Sequence, residues 1–97
     1  MSFMSSETII VEKPIEHIDR WEFVVRVGNA EFEVQVEKNY WRKLTNESIS
    51  ARELVFRSFL FLLEREPKED ILPSFNVRDI STYFSEYEQK IKEGLQS

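Results

Sequence analysis

SARELVFRSFLFLLERE, residues 50–66, is the stretch that decides the fold of this chain. Ser50 is suited to the N-cap of a helix, because its hydroxyl can accept a hydrogen bond from a backbone N–H of the first turn. Glu53 lies three residues later and can reach back to complete a capping box. Pro67 cannot continue a helix. The pattern therefore predicts a long helix over residues 51–66.

The apolar face of this predicted helix is unusually wide. At about 100° per residue, Glu53, Arg57 and Glu64 share one narrow polar stripe. Nearly all of the remaining positions from 54 to 63 are apolar, so the apolar face covers roughly two thirds of the helix circumference. An ordinary surface helix has an apolar stripe of about 100°. One explanation is a core helix wrapped by the rest of the domain. The other is that one flank, at Leu54 and Phe61, faces a partner.

Residues 21–37 predict a β-hairpin. Gly28 and Asn29 form a two-residue turn signal of type II′. This turn fixes the register, which places Arg26 opposite Glu31 on one face of the sheet and apolar pairs on the other. The apolar pairs are Val27 with Ala30, Val25 with Phe32, Phe23 with Val34, and Trp21 with Val36.

The segments on either side of these elements complete the pattern. The β-branched run at residues 8–11 predicts a short N-terminal strand. Residues 38–44 predict a short helix in which Tyr40 and Trp41, being adjacent, cannot point the same way. One of these two aromatic side chains is a candidate for recognition of a partner, and partial burial of both over the sheet edge is the alternative.

The C-terminal segment 77–93 carries a single apolar stripe that follows an Asn76 N-cap, with Phe75 and Ile80 as a hydrophobic staple. Polar residues around Ser85 leave open whether it forms one helix or two. Because strands precede helices, the chain indicates an α+β fold: a small antiparallel sheet, made of the N-terminal strand and the hairpin, packed against the long helix and the C-terminal helical segment.

Length and composition narrow the class of protein. The chain has 97 residues, a net charge of −5 and no cysteine. We expect one globular domain over residues 7–97 after a flexible leader at residues 1–6. The acidic balance disfavours nucleic acid as a partner, and the absence of cysteine excludes disulfides and thiolate zinc sites. With neither a signal peptide nor a membrane span in the sequence, the expected location is cytoplasmic.

No catalytic, cofactor-binding or metal-binding constellation is visible in the sequence. His17 is the one histidine and lies in a polar connection without a nucleophile at a useful spacing. The acidic positions Glu31, Glu33 and Glu37 are read as a solvated strand face that discourages aggregation. The protein is therefore predicted not to be an enzyme and to need no cofactor.

Two resemblances bear on function. ELVFRSFLFLLEREP (53–67) with ILPSFNVRDISTYFSEYE (71–88) resembles a recurring ELVxRSFxFLLEREP…YFxEYE pattern of small bacterial proteins, which implies a bacterial, soluble, single-domain protein. Residues 32–36, NYWRKL and SARELVFRSFLFLLE are similar to the strand, helix and capped helix of ribbon-helix-helix repressors and antitoxins. In that family, outward strand residues enter the DNA major groove. The matching side chains here are Glu31, Glu33, Gln35 and Glu37, and their charge opposes contact with DNA.

Three functions follow as expectations. The first is a small cytoplasmic, non-enzymatic interaction module that binds another protein, or itself as a homodimer through the long helix. Its candidate contact residues are Leu54, Phe61, Tyr40 and Trp41. The alternative is a DNA-binding regulator or antitoxin of the ribbon-helix-helix type. The third is a small-ligand binder or enzyme that uses a pocket between sheet and helices.

Overall fold

The computed structural model describes residues 7–96 and confirms the α+β class. The predicted leader at residues 1–6 lies outside the described residues. The strands are β1 (Ile9–Val11), β2 (Ile15–Glu16), β3 (Arg20–Val27), β4 (Ala30–Glu37) and β5 (Ser74–Asn76). The helices are α1 (Lys38–Thr45), α2 (Ala51–Leu63), α3 (Ile80–Tyr83) and α4 (Tyr87–Leu95), with 3₁₀ turns at Lys68–Asp70 and Val77–Asp79.

The sheet has the strand order β1-β3-β4-β5, and β2 pairs with β3 on the same edge as β1. The β3–β4 hairpin has the predicted register, from Val27 opposite Ala30 out to Arg20 opposite Glu37. Gly28 has φ of +58°, as the first central position of a II′ turn requires. Between β1 and β2 the pairing with β3 shifts by one residue around Pro14, which marks a bulge in this edge.

Helix α2 packs on one face of the sheet and forms the centre of the core. Leu54, Val55 and Phe59 are fully buried, and the Phe59 ring lies 5.2 Å from that of Phe32. Along β4, side chains that point into the core alternate with side chains that point into solvent, so the face of the strand opposite α2 is exposed. The helix ends at Leu63, three residues short of the prediction, and continues as a turn before Pro67.

The N-terminus of α2 is capped by half of the predicted capping box. The Glu53 amide donates to the Ser50 hydroxyl at 3.0 Å. The Glu53 carboxylate instead accepts from Arg57 at 2.9 Å, one turn further along the helix. This ion pair fixes the carboxylate away from the Ser50 amide, so the prediction of a reciprocal box is wrong in its second half.

Two features of the C-terminal third complete the architecture. Strand β5, which the sequence did not predict, pairs in parallel with β4, so that Phe75 lies opposite Val34 and its ring is 5.9 Å from Phe59. The helical segment is broken into two at residues 84–86, where Phe84 has extended backbone angles. No helix among residues 7–96 is long and apolar enough to cross a membrane.

Candidate functional site

The two residues expected to face a partner from the long helix are buried. Leu54 has no exposed surface, and Phe61 is 6% exposed. The ring of Phe61 contacts those of Phe84 and Tyr87 at 5.8 and 5.2 Å, and the Arg65 guanidinium covers it at 3.6 Å. The C-terminal segment therefore covers this flank within the chain, as the explanation of a core helix wrapped by the rest of the domain expects.

The other two predicted contact residues are partly buried and satisfied within the chain. The Tyr40 hydroxyl donates to Glu88 at 2.8 Å, and burial together with this carboxylate raises the pKa of Tyr40. The Trp41 indole donates to the Ile49 carbonyl at 2.8 Å, and its ring meets that of Trp21 edge-on at 5.3 Å. These contacts tie α1 to α4 and to the sheet, so neither side chain offers a free polar group to a partner.

His17 and Glu31, both considered for chemistry, have different neighbours in the sheet. The Nε2 atom of His17 is shielded from solvent and lies 3.4 Å from a carboxylate oxygen of Glu22, without hydrogen-bond geometry. Glu31 pairs with Arg26 at 2.9 Å on the exposed sheet face. Within residues 7–96, no group of three or more His, Cys, Asp or Glu side chains is arranged to hold a metal ion.

A cleft of about 480 Å³ opens between the C-terminal end of α2, the loop before β5, strand β5 itself and helix α3. Its apolar lining includes the buried side chains Leu62, Ile71 and Ile80. The partly buried rings of Phe75 and Phe84 extend this surface. We name this feature the β5 cleft.

The mouth of the β5 cleft exposes apolar surface together with negative charge. Leu72 is 52% exposed and Tyr83 68% exposed. Glu66, Asp70 and Asp79 contribute three carboxylates, and no Lys, Arg or His among the described residues lines the cleft. The site combines an apolar floor with an acidic rim.

A second, smaller cleft of about 300 Å³ lies between α2 and α4. Its three cations are already paired within the chain: Arg57 with Glu53 at 2.9 Å, Arg65 with Glu86 at 3.0 Å, and Lys90 with Glu93 at 3.8 Å. Because these charges are neutralised internally, this cleft offers less to an external ligand than the β5 cleft does.

A pocket between sheet and helices is one expectation from the sequence, but its position at β5 was not predicted, although two signals point to it. Tyr83 is a large aromatic residue that falls off the apolar stripe of the C-terminal segment, and Leu72 is apolar in a loop beside Pro73. Neither side chain belongs to the apolar face of a predicted helix or strand, so the sequence gives no packing partner for it. Such residues are candidates for an exposed recognition surface.

Comparison with known proteins gives no match, whether to a family model, a curated protein or a solved structure. The two resemblances drawn from the sequence remain hypotheses. A functional assignment therefore depends on the chemistry of the β5 cleft.

Proposed function

We propose that this protein is a small cytoplasmic, non-enzymatic interaction module that binds a segment of a partner protein in the β5 cleft. The observation that carries the proposal is the concave apolar surface, with Leu72 and Tyr83 exposed at its mouth. Exposed apolar patches rimmed by polar groups are typical of protein interaction sites and ligand grooves. Exposed aromatic side chains such as Tyr83 commonly supply much of the binding energy at such sites.

The arrangement of the sheet weighs against the ribbon-helix-helix alternative. A ribbon-helix-helix protein needs a strand that pairs with a second chain, whereas β4 is hydrogen-bonded to β3 on one side and to β5 on the other. The exposed side chains of β4 include Glu31 and Glu33, which repel phosphates. We therefore rank DNA binding below protein binding.

A small-ligand role is the second candidate, and the size of the cleft favours it. Its volume of about 480 Å³ falls within the range of roughly 300 to 1,000 Å³ that is usual for ligand pockets. An amphipathic amine would satisfy both the apolar floor and the acidic rim. Ligand-detected NMR screening of amine-containing fragments would distinguish this role from peptide binding.

The proposal is tested by selecting ligands from a random peptide library and measuring their dissociation constants by isothermal titration. A Leu72→Ala/Tyr83→Ala variant removes the exposed apolar mouth of the cleft. We expect the selected peptides to bind this variant at least about tenfold more weakly, since truncating interface anchors commonly costs more than 1 kcal/mol.

The matched control is Ile15→Ala/Ile18→Ala, which removes two side chains that are 62% and 96% exposed, one on strand β2 at the opposite edge of the sheet and one in the connection that follows β2. Its affinity is expected to stay within about twofold of the unmodified protein, because exposed positions away from a contact are near neutral. Peptides that bind the Leu72→Ala/Tyr83→Ala variant as tightly as the unmodified protein would contradict the proposal. Equal weakening in both variants would contradict it as well.

A further inference from the structure

The two edges of the sheet differ in how they are protected. On the β1–β2 edge, the bulge around Pro14 interrupts the pairing, and the Val11 carbonyl accepts from the Arg52 side chain at 2.9 Å. Bulges and capped edge groups are means by which proteins prevent further strand pairing. The β5 edge has no bulge among the described residues. It is protected only by its length of three residues and by the Asn76 carbonyl, which accepts the first hydrogen bond of the following 3₁₀ turn.

Part of the backbone of strand β5 turns away from β4. The Glu33 amide donates to the Pro73 carbonyl at 2.8 Å, which fixes the direction of the backbone groups here. Because these groups alternate along a strand, Phe75 also turns its amide and carbonyl toward β4, whereas the amide and carbonyl of Ser74 and the amide of Asn76 turn away. The Asn76 carbonyl instead accepts the first hydrogen bond of the 3₁₀ turn Val77–Asp79, of which Asn76 is the N-cap. Ser74 lines the cleft and Asn76 does not, so the open part of the edge meets the cleft at Ser74.

The charge around this edge identifies the kind of partner. Glu66 and Asp70 form no ion pair within residues 7–96, and Asp79 has only its neighbour Arg78, at 3.9 Å. On the other face of the sheet, Glu33 lies opposite Ser74 and is likewise unpaired within the described residues. Both faces that an added strand would touch therefore carry free carboxylates.

A second copy of this chain fits the site poorly. Its net charge is −5, and two β5 edges placed side by side would bring both acidic rims together. Like charges facing each other across an interface are unfavourable and suppress the wrong partner. A cationic segment gains from the same arrangement.

We infer that the occupant of the β5 cleft is an extended segment of a partner protein, with alternating basic and apolar residues, that pairs with β5 as an added strand. This inference rests on the proposed function and specifies its partner. Side chains of a strand alternate between faces, so apolar residues enter the cleft while basic residues lie on the other face. Strands lie about 4.8 Å apart, so long basic side chains reach across Ser74 toward Glu33.

The test uses three acetylated, amidated peptides and the full chain. The lysine peptide is KLKVKLK, the glutamate peptide is ELEVELE, and the scrambled peptide KKLLVKK keeps the composition without the alternation. We expect the lysine peptide to bind at least about tenfold more tightly than either of the others at low ionic strength. Binding is also expected to slow hydrogen exchange of the Ser74 and Asn76 amides, measured by NMR.

Backbone methylation separates strand pairing from simple charge attraction. One version of the lysine peptide carries N-methyl groups at the lysines and a second carries them at the apolar residues. Since only one edge of an added strand faces β5, one version should lose binding and the other should keep it. Equal loss or equal retention in both versions would overturn the added strand.

Charge-reversed variants locate the carboxylates that matter. The Glu66→Lys/Asp70→Lys variant reverses two charges of the cleft rim, and Glu64→Lys/Glu69→Lys makes the same change at neighbouring residues outside the lining. The rim variant is expected to bind the lysine peptide at least about tenfold more weakly, and the control within about threefold of the unmodified protein. If Glu66→Lys/Asp70→Lys does not fold, the milder Glu66→Gln/Asp70→Asn variant replaces it. It is likewise expected to bind the lysine peptide more weakly than the control does.

The possible results distinguish failure of this inference from failure of the proposed function. If the glutamate peptide binds the cleft as tightly as the lysine peptide, the cationic partner is overturned while the proposed function stands. If no probe peptide binds but library peptides dependent on Leu72 and Tyr83 exist, only this inference is overturned. If neither kind of peptide binds the cleft, both are overturned.

Discussion

At the scale of single residues, a buried hydrogen bond between two hydroxyl groups fixes how α4 lies on α2. Ser58 and Tyr87 have no exposed surface, and their oxygen atoms are 2.6 Å apart. The Ser58 hydroxyl uses its proton on the Leu54 carbonyl at 2.7 Å, so Tyr87 must be the donor to Ser58. Burial raises the pKa of Tyr87, which keeps this donor protonated. Both hydroxyl groups are therefore satisfied inside the core.

This geometry predicts a coupled loss of stability. Ser58→Ala leaves the Tyr87 hydroxyl buried without an acceptor, so the free energy of unfolding should fall by about 1 to 3 kcal/mol. Tyr87→Phe leaves Ser58 bonded to Leu54 and should cost about 1 kcal/mol. The double variant should lose less than the sum of the two, measured by urea titration in a double-mutant cycle. Strictly additive losses would contradict the coupling, and exposed Tyr83→Phe is the near-neutral control.

At the scale of elements, the hairpin could be predicted and β5 could not. The β3–β4 register follows from Gly28 and from alternation along adjacent segments, which is local information. Strand β5 has three residues, too few to show a period, and its partner β4 lies far earlier in the chain. For that reason the sequence alone favours Phe75 as part of a helix staple. The β5 cleft depends on this strand and was missed with it.

The same limit applies to the covered flank of α2. The width of its apolar face correctly indicates a central helix. Which neighbour covers which flank is a property of the tertiary structure, set by where the C-terminal segment breaks and turns. Tyr87 follows that break and contacts Phe61, so a flank that looked free in the sequence is occupied.

The cap of α2 yields a prediction at this scale. Ser50→Ala should lower the free energy of unfolding by about 1 kcal/mol, because the Glu53 amide loses its acceptor, whereas Ser50→Asp should keep the stability. Glu53→Ala should cost less, about 0.5 kcal/mol or below, because its carboxylate serves only the surface pair with Arg57. Urea titration compares the three variants. A loss for Glu53→Ala equal to that for Ser50→Ala would indicate the reciprocal capping box after all.

At the scale of the whole molecule, the exposed apolar side chains fall in separate regions. Ile10 and Ile15 lie on the β1–β2 edge with Ile18 in the connection that follows β2, and Leu72 with Tyr83 lies at the β5 cleft. Leu60 lies on α2. Only the second group borders a concave surface that also carries free carboxylates and an open strand edge. The first region is interrupted by the bulge and by the charged pair of Arg26 with Glu31. This contrast makes the β5 cleft the stronger candidate for recognition.

The distribution of apolar surface also predicts the state of association. Within α2, which the structure describes in full, Leu60 is the most exposed apolar side chain, at 46%, while Leu54 and Phe61 are buried. A stable protein interface buries about 1,600 Å² in total, which one such side chain cannot anchor. We therefore expect light scattering at micromolar concentration to give the monomer mass of 11.7 kDa. A homodimer through the long helix would give twice that mass and would revert to monomer in Leu60→Glu. Salt screens the mutual repulsion of two acidic rims. A dimer that formed only at high ionic strength would therefore place the contact at the β5 cleft. That result would count against a cationic partner in the cleft.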